Sequence, residues 1–265
     1  MENDFQIAAA YVRTIVQADA NLVHRLPKEL QRSLLIGLES DFLDGQIINQ
    51  LFDELARQGM SSWIGEYGSL IGVGNHGPLG FAALSAPDLQ TALEVFVEYS
   101  DTRSSGTKAT FEQGTDYLDM LLENRTGSEL TGRWLVESTF LVAQKIIETI
   151  MAHPLGEQSS FQFQYEPYQD GAKVESLFHA QCQFNQAENK MRLPASWARV
   201  PSPLNDEQAF LTNMAKVREI KLQLNTNRDN VRNLVTTRLL NHLTDDSAIP
   251  PSITIFPPWK PYRPN

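Results

Sequence analysis

The run Gly72-Val73-Gly74-Asn75-His76-Gly77 has the letters of a dinucleotide fingerprint, in which glycines let the backbone approach a pyrophosphate seated at a helix N-terminus. That chemistry needs a buried strand before the first glycine and a helix after the last, within a βαβ unit. Here the preceding segment has helical spacing, Pro78 follows the last glycine, and no βαβ pattern spans the next thirty residues. A dinucleotide-binding enzyme is therefore the remotest reading. Glu175 and His179, four apart, could share a helix face, but one acid and one histidine leave a metal site incomplete. Cys182, the only cysteine, lies in an apolar segment where a lone thiol acts as a small core residue, and it permits no disulfide framework. His24, His76, His153 and His242 are scattered, and there is no Gly-x-Ser-x-Gly elbow, Walker loop or His-Glu-x-x-His. Catalysis has no positive support, so the expectation is a protein that is not an enzyme and that uses no metal or cofactor.

Aromatic residues gather instead around the glycine segment and a later helix: Trp63, Tyr67, Phe81, Tyr99, Trp134 and Phe140. Small-molecule pockets are lined by such side chains with a few polar groups, here His76, Asn75 or Arg133. Trp63, Tyr67, His76, Phe81 and Trp134 are the candidate ligand-binding residues, although core packing explains the aromatic clustering equally well.

The elements that must position them follow from periodicity. Residues 5–58 carry helical stripes, Phe5, Ala8, Ala9, Val12, Ile15 and Val16 first, then Leu30, Leu34 and Leu35 after a boundary at Leu26-Pro27, then Ile47, Ile48, Leu51, Phe52 and Leu55. A further helix is expected over 61–70. Glycines at 72, 74 and 77 break it before a short apolar segment at 79–84, and Ser85-Ala86-Pro87-Asp88 reopens a helix with Leu89, Leu93, Phe96 and Val97 inside. From residue 107 the pattern turns strand-like: 107–113 and 117–123, joined by Gly114-Thr115-Asp116, form a hairpin. Ser128 starts a long amphipathic helix ending near His153-Pro154. Strands are expected at 161–165, 182–184 and 190–193, with a short helix at 171–178. Residues 205–243 read as a helical hairpin turning at Asn225 to Asn227, whose second arm presents Val231, Val235, Leu239 and Leu243 as one apolar stripe. That stripe either covers the core or forms a dimer seam.

The fold class expected is α+β: an amino-terminal helical half, a mostly antiparallel sheet with a long packed helix, and a terminal helical hairpin. The domain division is 1–225 for the main domain (helical 1–104, α+β 105–200, start of the hairpin 205–225), 226–243 for a linker or dimerisation helix, and 244–265 for a proline-rich tail.

With 22 Lys and Arg against 32 Asp and Glu, the chain of 265 residues carries a formal net charge of −10, which does not favour a nonspecific phosphate-binding surface. No apolar run approaches the roughly 20 residues of a spanning helix, and the first residues lack a basic region followed by an apolar core. A cytoplasmic protein is expected.

Two stretches go beyond pattern. The run Gly77-Pro78-Leu79-Gly80-Phe81-Ala82-Ala83-Leu84-Ser85-Ala86-Pro87-Asp88-Leu89 through Leu93 resembles the "GxLGYALLSAPTLxEAL" segment of the amino-terminal effector domain of AraC-family transcription regulators, the group labelled arabinose-binding. Phe161 to Pro167, Leu177-Phe178, Gln183-Phe184-Asn185-Gln186-Ala187-Glu188-Asn189 and Leu193-Pro194-Ala195-Ser196-Trp197 resemble the same domain's "VxFxxPxP…LFGCPVxFNQPENxLxFPASWLDRPL" block. Order and spacing agree over about 5–225. The resemblance implies a ligand sensor whose effector alters transcription, without naming the effector. Its layout is similar to that of haem-nitric-oxide sensor domains in element order, but no histidine here is assignable as a haem ligand.

Relatives continue through two helix-turn-helix units. This sequence instead follows Leu243 with a tail holding Pro250, Pro251, Pro257, Pro258, Pro261 and Pro264, a composition that excludes that motif. Lys216, Arg218, Lys221, Arg228, Arg232 and Arg238 stand against Glu219 and Asp229, a local excess better explained by a solvated helical face than by DNA contact. The expected partners are a small-molecule effector and a homodimer, or a heterodimer with a full-length regulator that this chain would block. Neither specific DNA binding by this chain alone nor membrane association is expected.

Overall fold

The computed structural model describes residues 5–19, 21–60, 63–167 and 175–243, with the side chains of 63–66 and 227–243 outside the description. Its architecture is α+β, as expected from the sequence, and clusters into two units, Met1–Lys221 and Leu222–Asn265.

The first unit is organised on one helix, α8 (Glu129–Met151). Ser128 caps it by accepting a hydrogen bond from the Thr131 backbone N–H (3.3 Å), and Ala152 ends it in a left-handed conformation (φ 57°). Its turns bury Trp134, Leu135, Phe140, Val142, Ile146 and Ile150.

On one side lies a five-stranded sheet: β3 (Thr107–Gln113), β4 (Tyr117–Asn124), β5 (Ser160–Gln162), β6 (Gln181–Gln183) and β7 (Asn189–Pro194), in the order β3-β4-β7-β5-β6. Every pairing is antiparallel except β5 with β6. The hairpin loop at 114–116 is where the spacing puts it. β7 alternates buried and half-buried along its length, directing Met191 and Leu193 to the core. In the β4–β7 register Asp119 faces Arg192, which holds it with two hydrogen bonds of 2.8 and 2.5 Å.

The other side holds α1 (Ala9–Ala18), α2 (Leu22–Arg25), α3 (Lys28–Leu38), α4 (Gly45–Arg57), α5 (Trp63–Leu70), α6 (Pro78–Ser85) and α7 (Leu89–Glu98). Aspartates cap two of them: Asp44 accepts from Gln46 N (2.7 Å) at α4, and Asp88 from Thr91 N (2.9 Å) at α7. This half also contains a two-stranded antiparallel sheet, β1 (Gln6–Ala8) with β2 (Phe42–Asp44), whose three-residue strands are too short to leave a periodic signal. The apolar segment at 79–84 is part of helix α6, and residues 171–174 of the expected short helix lie outside the described residues.

The expected terminal hairpin is corrected. Residues Glu207–Leu243 form one continuous helix, α9, with no turn at Asn225 to Asn227. The stretch contains neither Gly nor Pro, and Asn and Thr inside a helix cost at most about 0.7 kcal/mol each. Thr226 satisfies its hydroxyl within the helix by donating to the Leu222 carbonyl (2.9 Å), four residues back.

Candidate functional site

Where α1, α7 and α8 approach one another, a cavity of about 30 Å³ is lined by Tyr11 from α1, His76, Phe96 from α7, Ser100, Arg103 and Ser104 from the segment after α7, Thr107 from β3, and Leu135, Ser138 and Thr139 from α8. Its central residue is His76, at the end of a 3-10 turn over Val73–His76. The turn replaces the helix start that a nucleotide site would need, and α5 rather than a strand precedes it. The glycine letters therefore serve a different purpose. Gly77 takes a positive φ (57°), and Gly80 packs so closely on the turn that a Cβ would lie 2.1 Å from the Val73 carbonyl oxygen.

Asn75 fixes this turn from three directions. Its Oδ1 accepts from Gly72 N (2.9 Å), its Nδ2 donates to Thr14 Oγ1 of α1 (2.7 Å), and its carbonyl accepts from an Arg103 guanidinium N–H (2.9 Å). Lys145 of α8 donates to the Ser69 and Ile71 carbonyls (2.6 and 2.8 Å), a cation at the C-terminal end of α5. Gly68 permits that contact, since a Cβ there would lie 3.2 Å from Ser138 Cβ.

The imidazole of His76 is sandwiched between Tyr11 (centroids 5.0 Å apart) and Phe96 (5.4 Å) and is 6% exposed. Burial, reinforced by the Arg103 and Lys145 cations against a backbone hydrogen bond with Gly72, pushes its pKa down to about 3. Burial likewise pushes the Tyr11 phenol up to about 12, the Arg103 guanidinium working the other way. At neutral pH both rings are uncharged. His76 Nδ1 and Arg103 Nε are buried without hydrogen-bond partners.

Among the candidate ligand-binding residues, His76 alone lines this cavity. Trp134 is fully buried, packs on Phe52 (4.8 Å) and has no partner for its indole N–H. Tyr67 donates to Asp19 Oδ2 (3.1 Å), Phe81 is 52% exposed, and Trp63 starts α5 with its side chain outside the described residues. Arg133 lies over the Tyr165 ring (4.2 Å) beside a separate depression of about 200 Å³. Val231, Val235, Leu239 and Leu243 fall on α9, their side chains outside the described residues. Sequence reasoning missed Tyr11, Arg103, Thr107 and Ser138. They stand far apart along the chain, and no spacing rule joins them.

His179 does not share a ligand with Glu175: its Nδ1 meets Glu148 Oε1 at 2.7 Å. Among the described residues no group of three or more His, Cys, Asp or Glu is placed to hold a metal ion, and no helix is long and apolar enough to cross a membrane. Burial, with Glu175 and Glu137 nearby, pushes the Cys182 thiol up to about 12, so it is not a poised nucleophile.

The chain belongs to the family described as the arabinose-binding domain of AraC transcription regulators, N-terminal, whose model matches residues 39–202. The matched region contains α4 to α8 and the whole five-stranded sheet. Among solved structures it is similar to the transcriptional regulator CdpR from Pseudomonas aeruginosa, at 15% identity and a TM-score of 0.50, over 62% of this chain and 54% of that one. At that identity the likeness is one of fold, and the match spans about half the length of CdpR. No curated protein matches the chain.

Proposed function

We propose that this chain is the small-molecule-sensing part of an AraC-type regulator, with its effector bound at the cavity around His76. The observation that carries the reading is the position of that cavity, where α1, the 3-10 turn, α7 and α8 converge, so that a ligand there touches both the helical half and the sheet-bearing half of one unit. Such a seat couples occupancy to the relative placement of α8 and its neighbours. The space present holds about two water molecules, so a larger effector enters by moving the segment 71–77 or 100–107. Trp63, Tyr67, Phe81 and Trp134 belong to the surroundings that respond to that movement, and His76 is the contact common to the sequence reading and the cavity.

The regulatory output runs through association, by the Val231, Val235, Leu239 and Leu243 stripe of α9, with a second copy or with a full-length regulator. The test is a thermal-shift screen of sugars, amino acids and fatty acids against the full chain, repeated on His76→Ala. A ligand at one hundred times its Kd stabilises by about 2.7 kcal/mol, and the reading requires that the gain vanish in the variant. A hit whose stabilisation is unchanged in His76→Ala places the effector elsewhere.

A further inference from the structure

The charge inside the cavity narrows the class of effector. Arg103 brings a guanidinium to the wall, and its partners there are neutral: the Asn75 carbonyl, and Tyr11, through a side-chain hydrogen bond and through the ring at 5.5 Å. Among the described residues it makes no ion pair, and no carboxylate lines the cavity. Lys145 adds a second positive charge near His76. A half-buried guanidinium facing only neutral groups is a seat for an anion, because charge-assisted hydrogen bonds to a carboxylate are stronger than those to neutral acceptors. The hydrogen-bonding group left over points the same way. Arg103 Nε–H is a donor buried with nothing to donate to.

We propose that the cavity receives the carboxylate head group of the effector, held by the Arg103 guanidinium through its free Nε–H, so that this sensor takes an organic acid and not a neutral sugar. The space of about 30 Å³ has room for the head group, and the rest of the acid enters by the same movement of segment 71–77 or 100–107. The Tyr11 and Phe96 rings, which flank His76, then cover the first carbons of the acid. The inference rests on the effector being bound at this cavity.

The experiment compares acids with their isosteric amides on the full chain: acetate against acetamide, propionate against propionamide and hexanoate against hexanamide, with ionic strength held constant by sodium chloride. At about five times Kd the acids are expected to raise Tm by about 2 to 4 °C in a saturable manner, and the amides to leave it unchanged. Arg103→Met removes the charge at nearly constant length. It is expected to fold with a modestly lower Tm, the hydrogen bond to the Asn75 carbonyl being lost, and to lose the response to every acid. Arg103→Lys, which keeps the charge but loses the Nε–H, is expected to weaken the response at least tenfold. A response of equal size to acid and amide, or an acid response surviving in Arg103→Met, overturns the inference. Should L-arabinose or another neutral compound stabilise the parent but not His76→Ala, while no acid acts, the cavity stands as the effector site and the anion assignment falls. Should ligands stabilise the parent and His76→Ala alike, the cavity reading falls and takes the inference with it.

Discussion

The ring of His76 lies 5.0 Å from that of Tyr11, tilted by 43°, and the two form one uncharged aromatic step against a wall that carries Arg103. Their protonation is set from opposite sides: burial drives the base down to about 3 and the acid up to about 12.

Acid stability follows from the first shift. A histidine ordinarily near 6.5 that titrates near 3 when folded leaves the unfolded chain holding the extra proton between those values, so stability is fully present above about 6.5 and falls as pH is lowered toward 3. The slope approaches about 1.4 kcal/mol per pH unit, or on the order of 3 kcal/mol by pH 4. Asp88, held below the usual carboxylate range by Thr91 and Arg199 against its own desolvation, adds loss at the acid end. Urea midpoints measured from pH 7 to 4 should fall steeply for the parent and with a visibly shallower slope for His76→Phe. Parallel curves for the two proteins contradict the assignment.

Asp119, 2% exposed, has its charge answered by Arg192, which also lies over Tyr117 (4.3 Å). The hydrogen bonds to Asp119 raise the Arg192 pKa against a smaller desolvation effect. Arg192→Met leaves a carboxylate stranded between β4 and β7 and is expected to cost about 3 to 5 kcal/mol, whereas Arg125→Ala, which breaks an exposed pair with Glu123, is expected to cost at most about 1 kcal/mol. Equilibrium urea unfolding of both variants checks the difference. Asp119→Asn combined with Arg192→Met should recover much of the loss, because the uncompensated charge is gone.

Gly80 supports the His76 turn from outside the cavity. A methyl group at this position would stand 2.1 Å from the Val73 carbonyl oxygen and 2.9 Å from the Val73 side chain, and backbone on one side cannot rotate away. Gly80→Ala is expected to destabilise by about 1 to 3 kcal/mol and to shift the turn that positions His76. Loss of ligand response at a temperature where the variant remains folded would report that shift. Gly74→Ala, where a Cβ meets nothing within 4 Å, is the control and should leave stability within about 0.5 kcal/mol.

Much of this frame is legible in the residues. Alternation along Thr107–Gln113 and the turn chemistry of Gly114-Thr115-Asp116 yield the β3–β4 hairpin, although Leu118, Asp119 and Met120 of β4 are buried in succession. Phe161 and Phe163 are both buried as their alternation requires, although the ladder of β5 ends at Gln162. Beyond the short β1–β2 pair, two further features escape. Asn225-Thr226-Asn227 has turn-forming side chains, but without Gly or Pro nothing forces a turn and α9 continues through it. The cavity escapes for a different reason: Tyr11, His76, Arg103 and Ser138 meet only after α1, α7 and α8 have packed, a long-range event that no local period records.

Aromatic residues singled out for ligand contact should separate by burial. Trp134 has no exposed surface, lies against Phe52 of α4 at a 44° tilt, and sits one residue before the cavity-lining Leu135. Its removal opens a void where α4 meets α8, so Trp134→Ala is expected to cost about 3 to 5 kcal/mol. Trp134→Phe keeps the ring against Phe52 and deletes an indole N–H that has no hydrogen-bond partner, which offsets part of the lost area. It should cost less than half as much as the alanine. Phe81 is 52% exposed on α6, and Phe81→Ala should stay within about 0.5 kcal/mol of the parent. Urea midpoints for the three variants test the ordering, and comparable losses for Trp134→Ala and Phe81→Ala would contradict the exposed position of Phe81. Ligand response should be measured on Trp134→Phe and not on Trp134→Ala, because the phenylalanine keeps the α4–α8 packing on which the cavity depends.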